Sequence, residues 1–471
     1  MKKRLKSAAG ALLSLTMCSQ AFALGTGSIS SELLSTRSLG EGATGVAGVQ
    51  NDPTVGYTNP AAMTAMAGTQ AAIDLTYVNG SPTFTNGTTS PGGLGSLYTQ
   101  GHQGDVSGAR ATSVFVPDFA VTTQFLNGRL AAGLAVVSPY GMETHFDGDS
   151  PIRYAATDAR LRIIDITPSV AYKVCDGFSI GVGADYYDTL EGQLDKKVDV
   201  KVLNYGAALQ GGAPPRIAAG FATGPDANSQ LAATGDGWGY HLGTTIRPNE
   251  HHQLGVVYHS SVKMGLSGNV QLTGLSGLVA GPQGFGGSNF TASASAPIYM
   301  PQNVQIGYAY MPDDRWQFEA DAAWYDFGAF KQLGIVYSGL TANQSGVLNN
   351  PAANPQMFNP RKTLNFALGA NYKANDALQL RGGAYYEAAS LPESTFDPAF
   401  VDLPRYGLAI GASYAITKSL SLDGAYNAVF MHGRSINMPD PIGGGQGYTG
   451  NFNSFVNLVS ASLTYRTDAH F

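Results

Sequence analysis

Charge is scarce in this chain. Asp, Glu, Lys and Arg make up 13% of its 471 residues, about half the share usual in soluble domains. That excludes coiled coils, charged disordered tails and helical bundles. Long apolar runs are missing too: beyond the N-terminus there is no stretch of about 18 apolar residues, so no membrane-crossing helix is available. Cysteine is nearly absent, with only Cys18 and Cys175. Basic residues are outnumbered, 27 against 33 acidic, which argues against a nucleic-acid binder, since that needs a basic face. What the chain has in plenty is glycine, 60 residues, and tyrosine, 24, a composition suited to a large β structure.

The first 23 residues read as a secretory signal peptide. Lys2, Lys3, Arg4 and Lys6 form a basic start, Ala8 to Met17 a short apolar stretch, and Ala21-Phe22-Ala23 a small-residue cleavage site. Met17 before Cys18 is too bulky for a lipoprotein site. Removal of the four basic residues leaves 23 against 33 acidic, a net charge of −10. Cys175 is then the single cysteine, so the exported chain is held by packing and hydrogen bonds, without an intrachain disulfide.

Period-two alternation dominates the rest. In Ser179 to Tyr187, Ile180, Val182, Ala184 and Tyr186 share one face, and Ser179, Gly181, Gly183 and Asp185 the other. Leu364 to Tyr372, Tyr406 to Ile416, Leu420 to Asn427 and Phe318 to Trp324 repeat the pattern. The apolar face carries the bulk. The other is mostly Gly, Ala, Ser and Asn with an occasional carboxylate, where a soluble sandwich would carry Lys and Glu. In hydrocarbon every backbone group must be paired internally, so only helices or closed barrels can span. The expected fold is all-β: an antiparallel transmembrane barrel, greasy outside and modestly polar within.

Fourteen strands are expected, near 69–79, 111–125, 128–140, 160–174, 177–190, 236–247, 253–272, 295–311, 315–336, 361–373, 377–391, 404–416, 419–433 and 454–466. The connections alternate short and long. Leu126-Asn127-Gly128, Pro312-Asp313-Asp314 and Ala374-Asn375-Asp376 are among the short ones; 191–235 and 273–294 are among the long ones. Short turns on one side, long loops on the other, and Tyr or Trp near strand ends match barrels of the outer membrane of Gram-negative bacteria. The chain thus divides into a signal peptide (1–23), a segment without alternation (24–68) and the barrel (69–471).

The segment 24–68 contains Ser38-Leu39-Gly40-Glu41-Gly42-Ala43, Asn51-Asp52-Pro53 and Tyr57-Thr58-Asn59-Pro60-Ala61-Ala62-Met63, and its size suits a plug for the lumen. Downstream come Phe115-Val116-Pro117-Asp118-Phe119, Ser138-Pro139-Tyr140-Gly141, Gly237-Trp238-Gly239-Tyr240, Tyr258-His259-Ser260-Ser261-Val262-Lys263, Trp324-Tyr325-Asp326-Phe327 and Asp402-Leu403-Pro404-Arg405. Taken in this order, the pieces resemble the FadL-type family of outer-membrane long-chain fatty-acid and hydrophobic-compound transporters, toluene and xylene barrels included. The resemblance implies a fourteen-stranded barrel plugged by an N-terminal hatch. It implies passive uptake: capture by external loops, passage through an inner pocket and sideways release where a kinked third strand opens the wall. It also implies a monomer in outer-membrane lipid.

On that resemblance, Asn59, Pro60 and Ala61 belong to the hatch and face the exit. Pro139, Tyr140 and Gly141, at the end of the third strand, form the kink, since proline cannot donate to a ladder and glycine permits a sharp bend. The greasy loop residues Leu203, Leu209, Phe221, Leu275, Leu278 and Phe285 are expected to capture ligand, or to pack the two loops together as a lid. Where the family carries basic side chains for a carboxylate head group, this chain has Leu190 and Gly334; Lys331 and Arg381 are possible substitutes. That raises the prospect of a neutral hydrocarbon or ester. Lumen-side Asp185, Glu319, Asp321 and Asp423 are expected in structural ion pairs.

No enzyme, cofactor or metal is expected. His241, His259 and His432 can sit on strands, but none shows a paired nucleophile by spacing, and His251-His252 falls in a turn without further ligands. An outer-membrane lipid hydrolase and a general porin are the alternatives.

Overall fold

A computed structural model of the chain describes residues 35–49, 51–80, 83–90, 112–350, 354–438 and 447–467. The signal segment and the proposed hatch up to residue 34 lie outside the described residues. No helix among those described is long and apolar enough to cross a membrane.

The chain forms a closed fourteen-stranded antiparallel barrel. Each strand pairs with its sequence neighbour, and the first (Thr69–Gly80) pairs with the last (Gly447–Thr467) from Thr69↔Thr467 to Gly80↔Val456, which closes the wall. Closure removes the sheet edge that lipid cannot hydrate. The alternation is seen directly. Along the twelfth strand (Arg405–Ala415), Tyr406, Leu408 and Ile410 are 51–65% exposed outward, while Arg405 and Ala409 are buried inside. Tyr172, Trp316, Tyr414 and Tyr465 lie exposed on the outer face near strand ends, as an interfacial belt requires.

The short turns carry their own chemistry. Leu126 and Asn127 adopt φ of 52° and 56°, followed by Gly128 at 80°, so the second hairpin closes through three left-handed residues. In the 312–315 turn the Asp313 carboxylate accepts the Arg315 and Trp316 amides, each at 2.8 Å, which holds it below the usual aspartate range. Asn375 accepts Ala377 and Leu378 in the same way.

Six strands depart from the expected bounds in ways that bear on the site. The third runs Leu130–His145, so Pro139 to Gly141 lie within it and not at its end. The fifth continues to Val198, and the sixth gains a segment, Ala227–Thr234, before Asp236–Asn249. Much of the 191–235 stretch is therefore wall, with a helix (Val200–Gln210) at its summit. The seventh is interrupted at Ser260-Ser261, and the eighth at Pro301, where no amide is available for the ladder. The ninth ends at Asp326, short of the expected 336, and gives way to a 3-10 turn, Phe327–Ala329.

Candidate functional site

Residues 35–66 fold back into the barrel. A short helix (Thr36–Gly40), a second (Val55–Thr58) and a 3-10 turn (Pro60–Ala65) lie against the lumen wall. Wall carboxylates receive the segment's backbone amides: Asp74 accepts Thr36 at 2.8 Å, Asp321 accepts Gly45 and Val46 at 2.9 and 3.1 Å, and Glu319 accepts Ala47 at 2.8 Å. Asn59 returns the favour, donating to the carbonyls of Val46 and Thr244. Inward wall glycines make room. A Cβ on Gly255 would sit 2.0 Å from the Val46 carbonyl oxygen, and one on Gly243 would sit 2.3 Å from Asn59 Oδ1.

Arg381 is part of this seat. Its Nη1 lies 3.4 Å from Asp423, its Nη2 donates to Ser413, and its Nε faces Glu41 at 3.9 Å. Asp423 also receives Nε and Nη2 of Arg37 at 3.0 and 3.1 Å. Asp423, Glu319 and Asp321 thus hold the inner segment, and the Arg381 guanidinium lies in this polar seat. Lys331 is exposed beside buried Phe330.

The wall breaks where the third strand passes the inner segment. The second strand pairs with the first along its whole length, Thr112 to Thr123, but with the third only from Phe119↔Val136 downward. Against the fourth strand, the third pairs regularly to Val137↔Asp165 and resumes at Tyr140↔Ile163, so Ser138 and Pro139 bulge out of register. The freed Ser138 amide donates to the Asp118 carboxylate at 2.9 Å. A polar cavity behind the bulge is lined by Pro139, Tyr140, Tyr57, Thr58, His259 and Asn303, among others. Tyr57 packs on Ala120, Ala135 and Val137 at this slot. Pro60 and Ala61 do not face it: they rest on the fifth and sixth strands, at Gly181 and Gly243. The residue of the inner segment opposite the bulge is Tyr57, which the sequence alone does not single out.

Above the polar cavity lies an apolar pocket, partly open to solvent. Met142, Leu161, Leu194, Leu266, Ile298, Phe330 and Phe400 supply its surface. None was singled out from sequence; the available signal is that inward positions turn apolar in the outer halves of these strands. Arg160 is the charged side chain of the lining. Its Nε lies 2.9 Å from Asp158, and Glu191 and Glu143 stand 3.5 and 3.9 Å away. Arg162 pairs with Glu191 as well. Leu190 sits in a one-residue bulge between Thr189 and Glu191, half exposed on the outer face and away from the pocket. Gly334 comes next to Leu333 of the lining, near Pro355.

The two long loops meet over the barrel. Leu275 and Phe285 are buried with Val200, Val270 and Val279, and Leu203 packs on this cluster. Leu209, Phe221 and Leu278 stay 38–43% exposed. Asn204 stitches the loops: its amide donates to the Thr223 and Ser276 carbonyls at 2.9 and 3.1 Å, and its carbonyl accepts the Val279 amide at 3.0 Å. Asn204→Ala leaves buried partners unsatisfied and should weaken the lid locally by about 1–3 kcal/mol. Amide exchange in 200–210 and 276–280 should quicken while strand protection stays, and unchanged exchange there would show that the lid does not depend on this side chain.

Folding also brings together three residues that spacing did not pair. His241 Nδ1 is 2.7 Å from Asp185, and its Nε2 is 2.9 Å from the Gly56 carbonyl and 3.4 Å from Ser169 Oγ. This is not a hydrolytic triad in working order. The Ser169 hydroxyl itself donates to the Gly56 carbonyl at 2.7 Å.

A lipid-facing closed barrel with an inner segment on its lumen wall, an interrupted strand pairing beside it and a greasy pocket under its mouth defines a transport barrel of the outer membrane. The chain belongs to the outer membrane protein transport protein family (OMPP1/FadL/TodX), whose pattern it matches over residues 14–467. It is 23% identical over 343 residues to the long-chain fatty acid transport protein of Escherichia coli K12, covering 69% of this chain and 72% of that one. It is 24% identical over 446 residues to outer membrane protein P1 of Haemophilus influenzae, covering 91% and 90%. In fold it is similar to a Pseudomonas aeruginosa FadL homologue, with a TM-score of 0.78, 23% identity and coverage of 94% and 99%. The toluene transporter TbuX of Ralstonia pickettii follows with 0.63, 18%, 92% and 97%.

Proposed function

We propose that the protein admits uncharged or weakly polar hydrophobic compounds through the outer membrane, down their gradient and without catalysis. The apolar pocket carries this reading. Its lining is apolar and it opens toward solvent, as a site for a hydrocarbon or an acyl chain requires, and the single guanidinium at its edge is already surrounded by Asp158, Glu143 and Glu191. A carboxylate head group would have to displace one of these, so a long-chain fatty acid would bind through its tail. Exposed Leu209, Phe221 and Leu278 supply the landing surface, since greasy loop tips in water are costly unless they bind something. The residues 24–68 act as a hatch, and the slot at Ser138-Pro139 serves as the lateral exit behind Tyr57.

The test is uptake of a labelled hydrocarbon, with a labelled fatty acid beside it, by cells that lack their own transporter of this kind. Ala294→Trp fills the pocket; Gly141→Trp crowds the slot. Overpacking of about 1–3 kcal/mol corresponds to roughly a five- to hundredfold loss of ligand binding. Each variant should depress uptake of the hydrocarbon strongly at equal surface amount. Normal uptake by Ala294→Trp removes the pocket from the route, and normal uptake by Gly141→Trp removes the slot. Mass spectrometry of whatever co-purifies with the folded barrel identifies the natural ligand.

A further inference from the structure

We propose that Asp185, His241 and His259 bind one divalent transition-metal ion of the borderline class (zinc, cobalt, nickel or copper) between the barrel wall and the hatch. The proposal does not rest on the transport reading, and its test does not measure transport.

The three side chains project inward from the fifth, sixth and seventh strands, and one ligand atom from each lies within 4.8 Å of the others. They are the one such group found among the described residues. Donors around a four-coordinate zinc stand about 3.3 Å apart, given bonds of about 2.0–2.1 Å. Small side-chain rotations therefore close the site. One carboxylate and two imidazoles are the donor set that selects these ions over magnesium or calcium, which prefer all-oxygen shells.

The independent observation is His259. It is 2% exposed, and neither ring nitrogen has a hydrogen-bond partner. A buried imidazole left this way costs about 1–3 kcal/mol per unmet group, and such groups call for an explanation. Its ring stacks on His241 at 5.0 Å and touches Tyr57 at 4.8 Å, and it also lines the polar cavity behind the third-strand bulge. That cavity gives an ion a path in and gives water the remaining coordination position.

His241 is already oriented as a ligand. Ligating histidines donate their second ring N–H to a carbonyl or carboxylate; here Nε2 donates to the Gly56 carbonyl of the hatch. Thr167 donates to Asp185 Oδ1 at 2.8 Å and steadies the carboxylate. On binding, the ion takes the place of the proton held in the hydrogen bond between His241 Nδ1 and Asp185, and that proton leaves to solvent. The bound ion would tie three wall strands together and, through Gly56, tie them to the hatch.

The experiment titrates the mature full chain, free of any polyhistidine tag and folded in detergent, with Co²⁺. The expected result is one ion per chain, with the intense visible d–d absorption of a low-symmetry site, displaced by Zn²⁺ and untouched by excess Mg²⁺. His259→Leu breaks no hydrogen bond and should abolish the signal, with folding checked by heat-modifiable gel mobility. His251→Gln/His252→Gln, at the exposed turn, should leave it intact. X-ray absorption on the unaltered chain should show two imidazoles around the ion, a readout that does not depend on any variant folding. Absence of the absorption, its survival in His259→Leu, its loss with His251 and His252, or fewer than two imidazoles would each overturn the site.

Discussion

Gly255→Leu combined with Gly383→Leu should turn a closed barrel into a conducting one. Both glycines face the lumen where the hatch backbone leans directly on the wall. A Cβ at Gly255 would meet the Val46 carbonyl oxygen at 2.0 Å and Ala47 Cα at 2.9 Å. At Gly383 it would meet the Glu41 carbonyl at 2.4 Å. The atoms in the way are backbone, so they cannot swing aside as a flexible side chain would. Either the wall bulges or the hatch leaves. At both glycines the wall strand is paired with a neighbour on each side, and an opened ladder in lipid costs several kcal/mol for each unsatisfied group. Val46 donates to Asp321, and Ala47 donates to Glu319 and accepts from Gln253, each bond contributing about 0.5–3 kcal/mol. The hatch therefore gives way.

At Gly383 the added carbon also comes within 2.6 Å of the Leu368 carbonyl of the neighbouring strand, so that strand must shift slightly, but leucine is better tolerated in a strand than glycine and the barrel itself should still assemble. A fourteen-stranded wall is well beyond the size that side chains alone can fill. Planar-bilayer recordings should change from closed behaviour to steady, large conductance, and cells should become sensitive to bulky hydrophilic antibiotics. Gly424→Leu is the control, since Gly424 lies on the lipid-facing side with nothing within 4 Å of the added carbon. A double variant that stays closed, with residues 35–66 still protected from protease, would show that the hatch is not seated by glycine contact.

The same contacts show what could be read from the chain and what could not. Alternation was enough to find fourteen strands, because lipid imposes one chemical rule on every outward position from Ile73 to Tyr465. The small inward face of Gly, Ala and Ser was visible too, but its reason was not: Gly243 and Gly255 are small because Asn59 and Val46 press on them, and that partner lies about 200 residues away. Strand ends were lost where the rule lapses. Beyond Leu190 the fifth strand reads Glu191-Gly192-Gln193-Leu194-Asp195-Lys196, mixed on both faces because it stands clear of lipid, yet it still pairs with Gln230 to Ala232. The pocket was hidden for the opposite reason. Leu161, Leu266 and Ile298 are apolar and inward, and in sequence that looks like alternation fading into loop. The slot was half legible: Pro139 signalled a break, but only the register shows that the strand continues past it to His145.

Removal of one carboxylate, Asp423, should unseat the front of the hatch without touching the barrel. Asp423 has no exposed side-chain surface and stands between two guanidiniums, bidentate with Arg37 and 3.4 Å from Arg381. Asp423→Ala leaves both cations buried, Arg381 facing Glu41 at 3.9 Å and Arg37 with the charges of Asp52 and Asp74 nearby. Breaking a buried pair by losing one partner costs about 3–5 kcal/mol. At about 1.4 kcal/mol per decade, that is roughly a hundred- to several-thousandfold faster local opening. The strain falls on the hatch, because Arg37 can reach water only by withdrawing the helix Thr36–Gly40 from the lumen, whereas Arg381 is fixed to the wall. Amide exchange in 35–49 should accelerate by that factor, with wall strands unchanged. Arg37→Met together with Asp423→Leu removes the pair as a unit, leaves Arg381 opposite Glu41 and should cost far less, since a buried ion pair replaced by apolar side chains is often near neutral. If the single and double variants open the hatch equally fast, its hold comes from packing and glycine contact, and the charges merely fill the space.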